Sequence, residues 1–65
     1  MYIVTMGNNG GKGFLKMWVE SKEARWEWVT EFKDATRFTK YIEAKAAMRL
    51  AVTHDRISDA TIYGY

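Results

Sequence analysis

Two neighbouring segments decide the fold: FLKMWVE at residues 14–20 and RWEWVTEF at residues 25–32. In both segments apolar side chains recur at every second position, which is the period of a β-strand with one buried face. Only residues 21–24 separate the segments, so the sequence predicts an antiparallel hairpin.

A turn centred on Lys22 and Glu23 sets the predicted register of this hairpin. The expected cross-strand pairs are Glu20 with Arg25, Val19 with Trp26, Met17 with Trp28, and Leu15 with Thr30. One face of the hairpin then carries Leu15, Met17, Val19, Trp26, Trp28 and Phe32. The other face carries Phe14, Lys16, Trp18, Glu20, Arg25, Glu27, Val29 and Glu31. Because side chains alternate between the faces, a slip of one residue would destroy this separation.

The rest of the chain predicts two more strands and a helix. Tyr2–Met6 is β-branched and aromatic-rich, and Ser58–Tyr65 suggests a last strand. Between them, Tyr41–Thr53 has the alanine content and period of a helix, with Thr39 as its N-cap. The helix face expected to pack on the sheet carries Tyr41, Ala44, Ala47, Met48, Ala51 and Val52. The order β-β-β-α-β predicts an α+β fold, an antiparallel sheet covered on one side by a helix. The last strand is expected beside either the first strand or the third.

Length and composition restrict the class of protein. Sixty-five residues without cysteine predict one domain, residues 1–65, in a reducing compartment. The net charge of +2 is spread evenly, with five basic and four acidic residues in each half. A nucleic-acid-binding domain usually concentrates its positive charge. No apolar run approaches the ~20 residues that span a bilayer, so we expect a soluble, cytoplasmic protein with no membrane partner.

The side chains that usually carry catalysis are sparse. The glycine-rich loop Gly7–Gly13 lacks the spacing of a P-loop, since three residues instead of four separate Gly7 from Gly11-Lys12, and Gly13 follows. His54 is the sole histidine, and it is expected at a solvated helix end, where it complements the helix dipole. We therefore expect no enzyme, no cofactor and no metal site.

Two surfaces are candidates for binding. The first is the open sheet face, where the candidate contact residues are Phe14, Lys16, Trp18, Arg25 and Val29. Exposed aromatic residues can stack on bases or anchor a protein interface, unless the C-terminal segment folds over this face and buries Trp18. The second surface is a helix stripe of Ile42, Ala46 and Leu50, with Arg49 beside it. This spacing suits helix-in-groove recognition or a homodimer, and isolated exposed apolar side chains without a partner are the alternative.

The stretch Tyr2–Leu50 resembles small proteins encoded by phages and prophages. The resemblance rests on the hairpin ending in Trp26-Glu27-Trp28, on the segment Asp34–Thr39, and on Glu43-Ala44 opening an alanine-rich helix. It implies an inhibitor of a host enzyme or defence complex that acts by occupying a surface, within the host cytoplasm.

The sequence is also similar to DNA-binding domains built from a three-stranded sheet and a helix, such as plant ethylene-response factors and the arm-binding domain of phage integrases. The shared positions are Lys16, Trp18, Arg25, Trp28, Phe38 and Glu43-Ala44. This similarity implies DNA binding through the sheet, although Glu20, Glu27 and Glu31 on that face would repel phosphates.

The leading hypothesis is thus a non-catalytic protein-binding module. A nucleic-acid-binding domain that uses the sheet face and the Lys12 loop is the alternative. A self-assembling subunit is a third hypothesis.

Overall fold

The structure is a computed structural model that describes residues 1–7 and 13–65. Its elements are strand β1 (Tyr2–Met6), strand β2 (Gly13–Glu20), strand β3 (Glu23–Val29), a 3₁₀ turn (Phe32–Asp34), helix α1 (Tyr41–Asp55) and strand β4 (Ala60–Gly64). The strands form one antiparallel sheet in the order β3-β2-β1-β4. The α+β fold is therefore as predicted, and β4 docks beside β1.

The hairpin register differs from the predicted one by two residues. Met17 lies opposite Trp26, and Leu15 lies opposite Trp28. The turn is Ser21-Lys22, and both residues have positive φ angles, 52° and 66°. Such a left-handed pair matches the twist of the flanking strands, but neither residue is a typical choice for it. Because the error is an even number of residues, every strand side chain still lies on its predicted face.

The face predicted for Phe32 is wrong. β3 ends at Val29, and Phe32 begins the 3₁₀ turn, so the strand alternation does not reach it. Its ring instead meets Phe14 on the open sheet face, with centroids 5.9 Å apart.

The main core lies between α1 and the sheet. Val4 and Leu15 are buried from the sheet side, and three alanines are buried from the helix: Ala44, Ala47 and Ala51. Small alanine side chains allow the helix to approach the sheet closely. The tryptophans of β3 pack against this core at its edge, as predicted. Val19 is an exception on the same face, since it lies near the hairpin turn and is 76% exposed.

Helix α1 differs slightly from the prediction at both ends. Its N-cap is Lys40 instead of Thr39, and the carboxylate of Glu43 accepts hydrogen bonds from the Lys40 backbone N–H and the Thr39 hydroxyl. The helix continues to Asp55 and ends at Arg56 in the left-handed conformation. There the N–H of Ile57 donates to the carbonyl of Val52 at 3.0 Å, a closure that commonly uses glycine.

The segment Ala35–Phe38 separates β1 from β2 over part of their length. The two strands pair directly only at Thr5–Phe14 and Met6–Gly13. Beyond these pairs, Phe38 bonds to Tyr2 of β1, while Thr36 bonds to β2. The segment that connects β3 to α1 is therefore hydrogen-bonded into the sheet between β1 and β2.

Candidate functional site

The open sheet face contains a second, smaller apolar cluster. Ile3 points away from the helix and is only 1% exposed. Around it lie Phe14, Phe32 and Tyr63, which line a shallow depression of about 260 Å³. Tyr65 meets the Phe32 ring at 5.5 Å. The C-terminal segment thus contributes Tyr63 and Tyr65 to this end of the open face, but it does not bury Trp18 as one alternative expected.

This cluster divides the predicted sheet-face site into two parts. Phe14 and Val29 form a cross-strand pair and are half-buried. Towards the turn, Lys16 lies opposite Glu27 and Trp18 lies opposite Arg25. These four side chains are exposed, Trp18 to 38%. Trp18 therefore lies outside the small cluster, Phe14 belongs to it, and Val29 is the cross-strand partner of Phe14.

Charges of both signs surround Trp18. Its indole N–H donates to the Glu20 carboxylate at 3.4 Å, and Arg25 forms an exposed ion pair with Glu23 at 3.2 Å. The exposed part of this face therefore carries two basic side chains, Lys16 and Arg25, against three acidic ones, Glu20, Glu23 and Glu27. Its charge is mixed, with a small acidic excess.

The outer face of α1 is the second predicted surface. Ile42 is 72% exposed and Leu50 is 47% exposed. Ala46 lies between them at a spacing of four residues and is also exposed. Lys45 and Arg49 flank this stripe, and with Tyr41, Ile42 and Ala46 they line an open depression of about 450 Å³. The structure thus brings together Ile42, Ala46, Arg49 and Leu50, as their spacing predicts.

A third cluster, which the sequence reasoning missed, joins the end of α1 to β3. The carboxylate of Asp55 accepts hydrogen bonds from the indole N–H groups of Trp26 and Trp28, both at 2.9 Å. Its other oxygen lies 3.0 Å from His54 Nδ1. Hydrogen bonds from His54, Trp26 and Trp28 lower the pKa of Asp55 to about 2. The charged carboxylate fastens the helix end to the edge strand.

The signal for this cluster was weak but present in the sequence. Two tryptophans on the same face of a strand bring two indole N–H donors to that face. Each donor needs an acceptor, and buried indoles usually find one. Asp55 is the acidic residue at the end of the covering helix that can serve both.

Arrangements that suggest catalysis or metal binding are sparse. Within residues 1–7 and 13–65, no three acidic or histidine side chains converge as metal ligands. His54 and Asp55 form a pair, but Asp55 already accepts both indoles. The predicted loop Gly7–Gly13, including Lys12, falls largely outside the described residues.

Compared with protein-family models, with curated proteins and with solved structures, the chain has no match. In the described part of the chain, α1 is too short and too polar to be a membrane-spanning helix.

Proposed function

We propose that this protein is a non-catalytic protein-binding module whose contact surface is the outer face of α1. The observation that carries the proposal is the 72% exposure of Ile42, in line with Ala46 and Leu50, on a helix whose opposite face already fills the core. The core covers one apolar face of α1, and a second packing partner would bury the other.

The energetics of this face favour a partner that buries it. Removing a large aliphatic side chain from water contributes about 1.5–3 kcal/mol. Ile42 and Leu50 stand two helical turns apart, so one partner element can cover both. Ala46 between them permits close approach.

The charge of the face defines the chemistry of the partner. Lys45 and Arg49 border the apolar stripe on one side, and Glu43 borders it on the other, with its carboxylate turned towards the Thr39 hydroxyl and the Lys40 backbone N–H. The side that carries Lys45 and Arg49 is therefore basic. A complementary partner offers a large apolar anchor with acidic side chains facing Lys45 and Arg49. Such a module can act as an inhibitor simply by covering another protein's surface, which is the role that the resemblance to small phage proteins implies.

The proposal is tested by selecting binding peptides from a library balanced in acidic and basic residues. We expect enrichment of acidic peptides with large apolar side chains. Ile42→Asp and Leu50→Asp should each weaken their binding by at least about tenfold, since each loses one buried anchor. Val19→Asp is the matched control, because Val19 is about as exposed as Ile42 but lies on the hairpin. Selected peptides that bind the Ile42 and Leu50 variants as tightly as the unmodified protein would rule out this surface.

Nucleic-acid binding through the open sheet face is the second candidate function. The observation that favours it is Trp18, partly exposed directly across from Arg25 and two residues from Lys16. A base can stack on such a ring while the cations contact phosphates. The neighbouring carboxylates oppose it, so we rank it second.

Salt dependence separates the two candidates. Binding to a single-stranded oligonucleotide should fall steeply with salt concentration if several phosphates are neutralised, and Trp18→Ala should weaken it. Binding of the selected peptides through the helix stripe should fall less steeply with salt, since two cations flank an apolar contact, and it should not change in the Trp18 variant.

A further inference from the structure

Strand β3 forms an outer edge of the sheet with unpaired backbone groups. The two-residue turn Ser21-Lys22 is flanked by the pair Glu20–Glu23, and such a flanking pair is hydrogen-bonded. Bonding then alternates along the ladder. The backbone N–H and C=O groups of Ala24, Trp26 and Trp28 therefore point outward, and within the described ranges no strand pairs with them.

This edge carries the charged residues Glu23, Arg25 and Glu27 but lacks three other devices that protect edge strands. The chain contains no proline, and β3 pairs with β2 without a bulge over seven consecutive residues. Lysine, the charge most often placed on edges, is absent from β3. A regular, bulge-free edge is a template for another strand.

We propose that a second copy of this chain pairs with β3, antiparallel, with Trp26 opposite Trp26 of the second copy. In this register Arg25 lies opposite Glu27 of the second copy, and Glu27 lies opposite its Arg25. Ala24 lies opposite Trp28 of the second copy, so a small side chain faces a large one. The result is an eight-stranded antiparallel sheet about a two-fold axis.

Charge and overlap select this register from its neighbours. Only shifts by an even number of residues keep the outward-pointing groups facing each other. A shift of two residues one way places Arg25 opposite Arg25, and a shift the other way places Glu27 opposite Glu27. Like charges directly opposite each other are destabilising. Both shifted registers also pair fewer residues than the central one, which uses all of β3 (Glu23–Val29).

The surroundings of the edge leave room for the second copy. On the helix side of β3, an open groove of about 350 Å³ is lined by Ala24, Trp26, Trp28, His54 and Asp55, among others. The two-fold axis lies perpendicular to the sheet, so both helices lie on the same side and the two Trp26 side chains meet at the axis. Since the outer face of α1 is not used, this inference and the proposed function stand or fall separately.

Charge reversal in a mixing experiment tests the pairing. By sedimentation velocity over a concentration series, we expect the unmodified chain to form dimers. Arg25→Glu and Glu27→Arg should each weaken the homodimer by about tenfold, since two attractive pairs become repulsive. An equimolar mixture of the two variants should form heterodimers in native mass spectrometry, because two carboxylates in one copy then face two guanidinium groups in the other.

Two further variants keep the test decisive. Ala24→Pro should weaken the dimer while leaving the monomer folded, because an edge strand accepts proline where its N–H points outward. Leu50→Asp should leave the dimer unchanged, and it would dissociate a dimer formed through the helix stripe. Far-UV circular dichroism checks that each variant is folded. A chain that stays monomeric throughout, charge variants that dimerise like the original, or a dimer dissociated by Leu50→Asp would each overturn the proposal.

Discussion

Replacing Thr36 by valine tests the way the sheet is held together where β1 and β2 separate. The Thr36 hydroxyl accepts a hydrogen bond from the Met17 backbone N–H at 2.8 Å and donates one to the Met17 carbonyl at 3.1 Å. The Thr36 backbone N–H donates to the Leu15 carbonyl at 3.0 Å. The Thr36 side chain thus makes the two hydrogen bonds that a neighbouring strand would otherwise make with the backbone of Met17.

The expected cost follows from the two hydrogen bonds. Valine has nearly the shape of threonine but no hydroxyl, so both backbone groups of Met17 lose their partner. A buried polar group without a partner costs about 1–3 kcal/mol, and this site is partly buried. We therefore expect Thr36→Val to lower the free energy of unfolding by about 2 kcal/mol or more, which corresponds to ~8–16 °C in Tm for a domain of this size.

Urea and thermal unfolding, followed by tryptophan fluorescence, measure this loss. Thr36→Ser keeps the hydroxyl and removes one methyl group, so it should cost about 0.8 kcal/mol. Thr39→Val is the control for an exposed hydroxyl, since the Thr39 hydroxyl donates to the exposed Glu43 carboxylate. Equal losses in the Thr36 valine and serine variants would show that the hydroxyl does not hold β2 here.

The remaining predictions concern the core and α1. Trp28→Ala should lower the free energy of unfolding by about 3 kcal/mol in urea denaturation, and Trp18→Ala should cost markedly less; equal losses would place Trp18 in the core. Because the folded-state pKa of Asp55 is about 2 instead of the usual 3.8, its charge stabilises the fold above pH 3.8 and this contribution is lost as pH falls through 2. Asp55→Asn should therefore flatten the acid limb of a stability–pH profile, and an unchanged limb would contradict the assignment. Arg56→Gly should raise Tm, since glycine adopts the left-handed conformation without the cost of about 1 kcal/mol that arginine bears. A lower Tm would mean that contacts of the arginine side chain stabilise the fold by more than this cost.

The sequence predicted which side chains face the helix more reliably than where the hairpin turns. Alternation along β2 and β3 is a property of every residue in the strands, so the burial of Leu15 and the inward direction of Trp26 and Trp28 survive an error of two residues. The turn depends on two residues alone. Ser21-Lys22 lacks the asparagine or glycine that would have marked it.

Features that join distant segments were beyond the sequence pattern. Thr36 bonds to Met17 across nineteen positions, and Asp55 bonds to Trp28 across twenty-seven. No periodicity relates such pairs, because their approach depends on the path of the whole chain. Of the two binding surfaces, the helix stripe follows from its spacing alone. The residues predicted on the open sheet face fall into two groups in the structure. The sequence pattern did not predict this, because it placed Phe32 on the opposite face.

The place of β1 in the sheet has a consequence for synthesis on the ribosome. Of the four described strands β1 is synthesised first, yet it lies inside the sheet, and one of its two neighbours is β4, the last of the four: Tyr2 pairs with Gly64 and Ile3 with Tyr63. Until the final strand leaves the exit tunnel, one side of β1 stays without its ladder. The nascent chain therefore completes this sheet only once β4 is available, and removing the residues of β4 should leave a chain that aggregates instead of a smaller stable one.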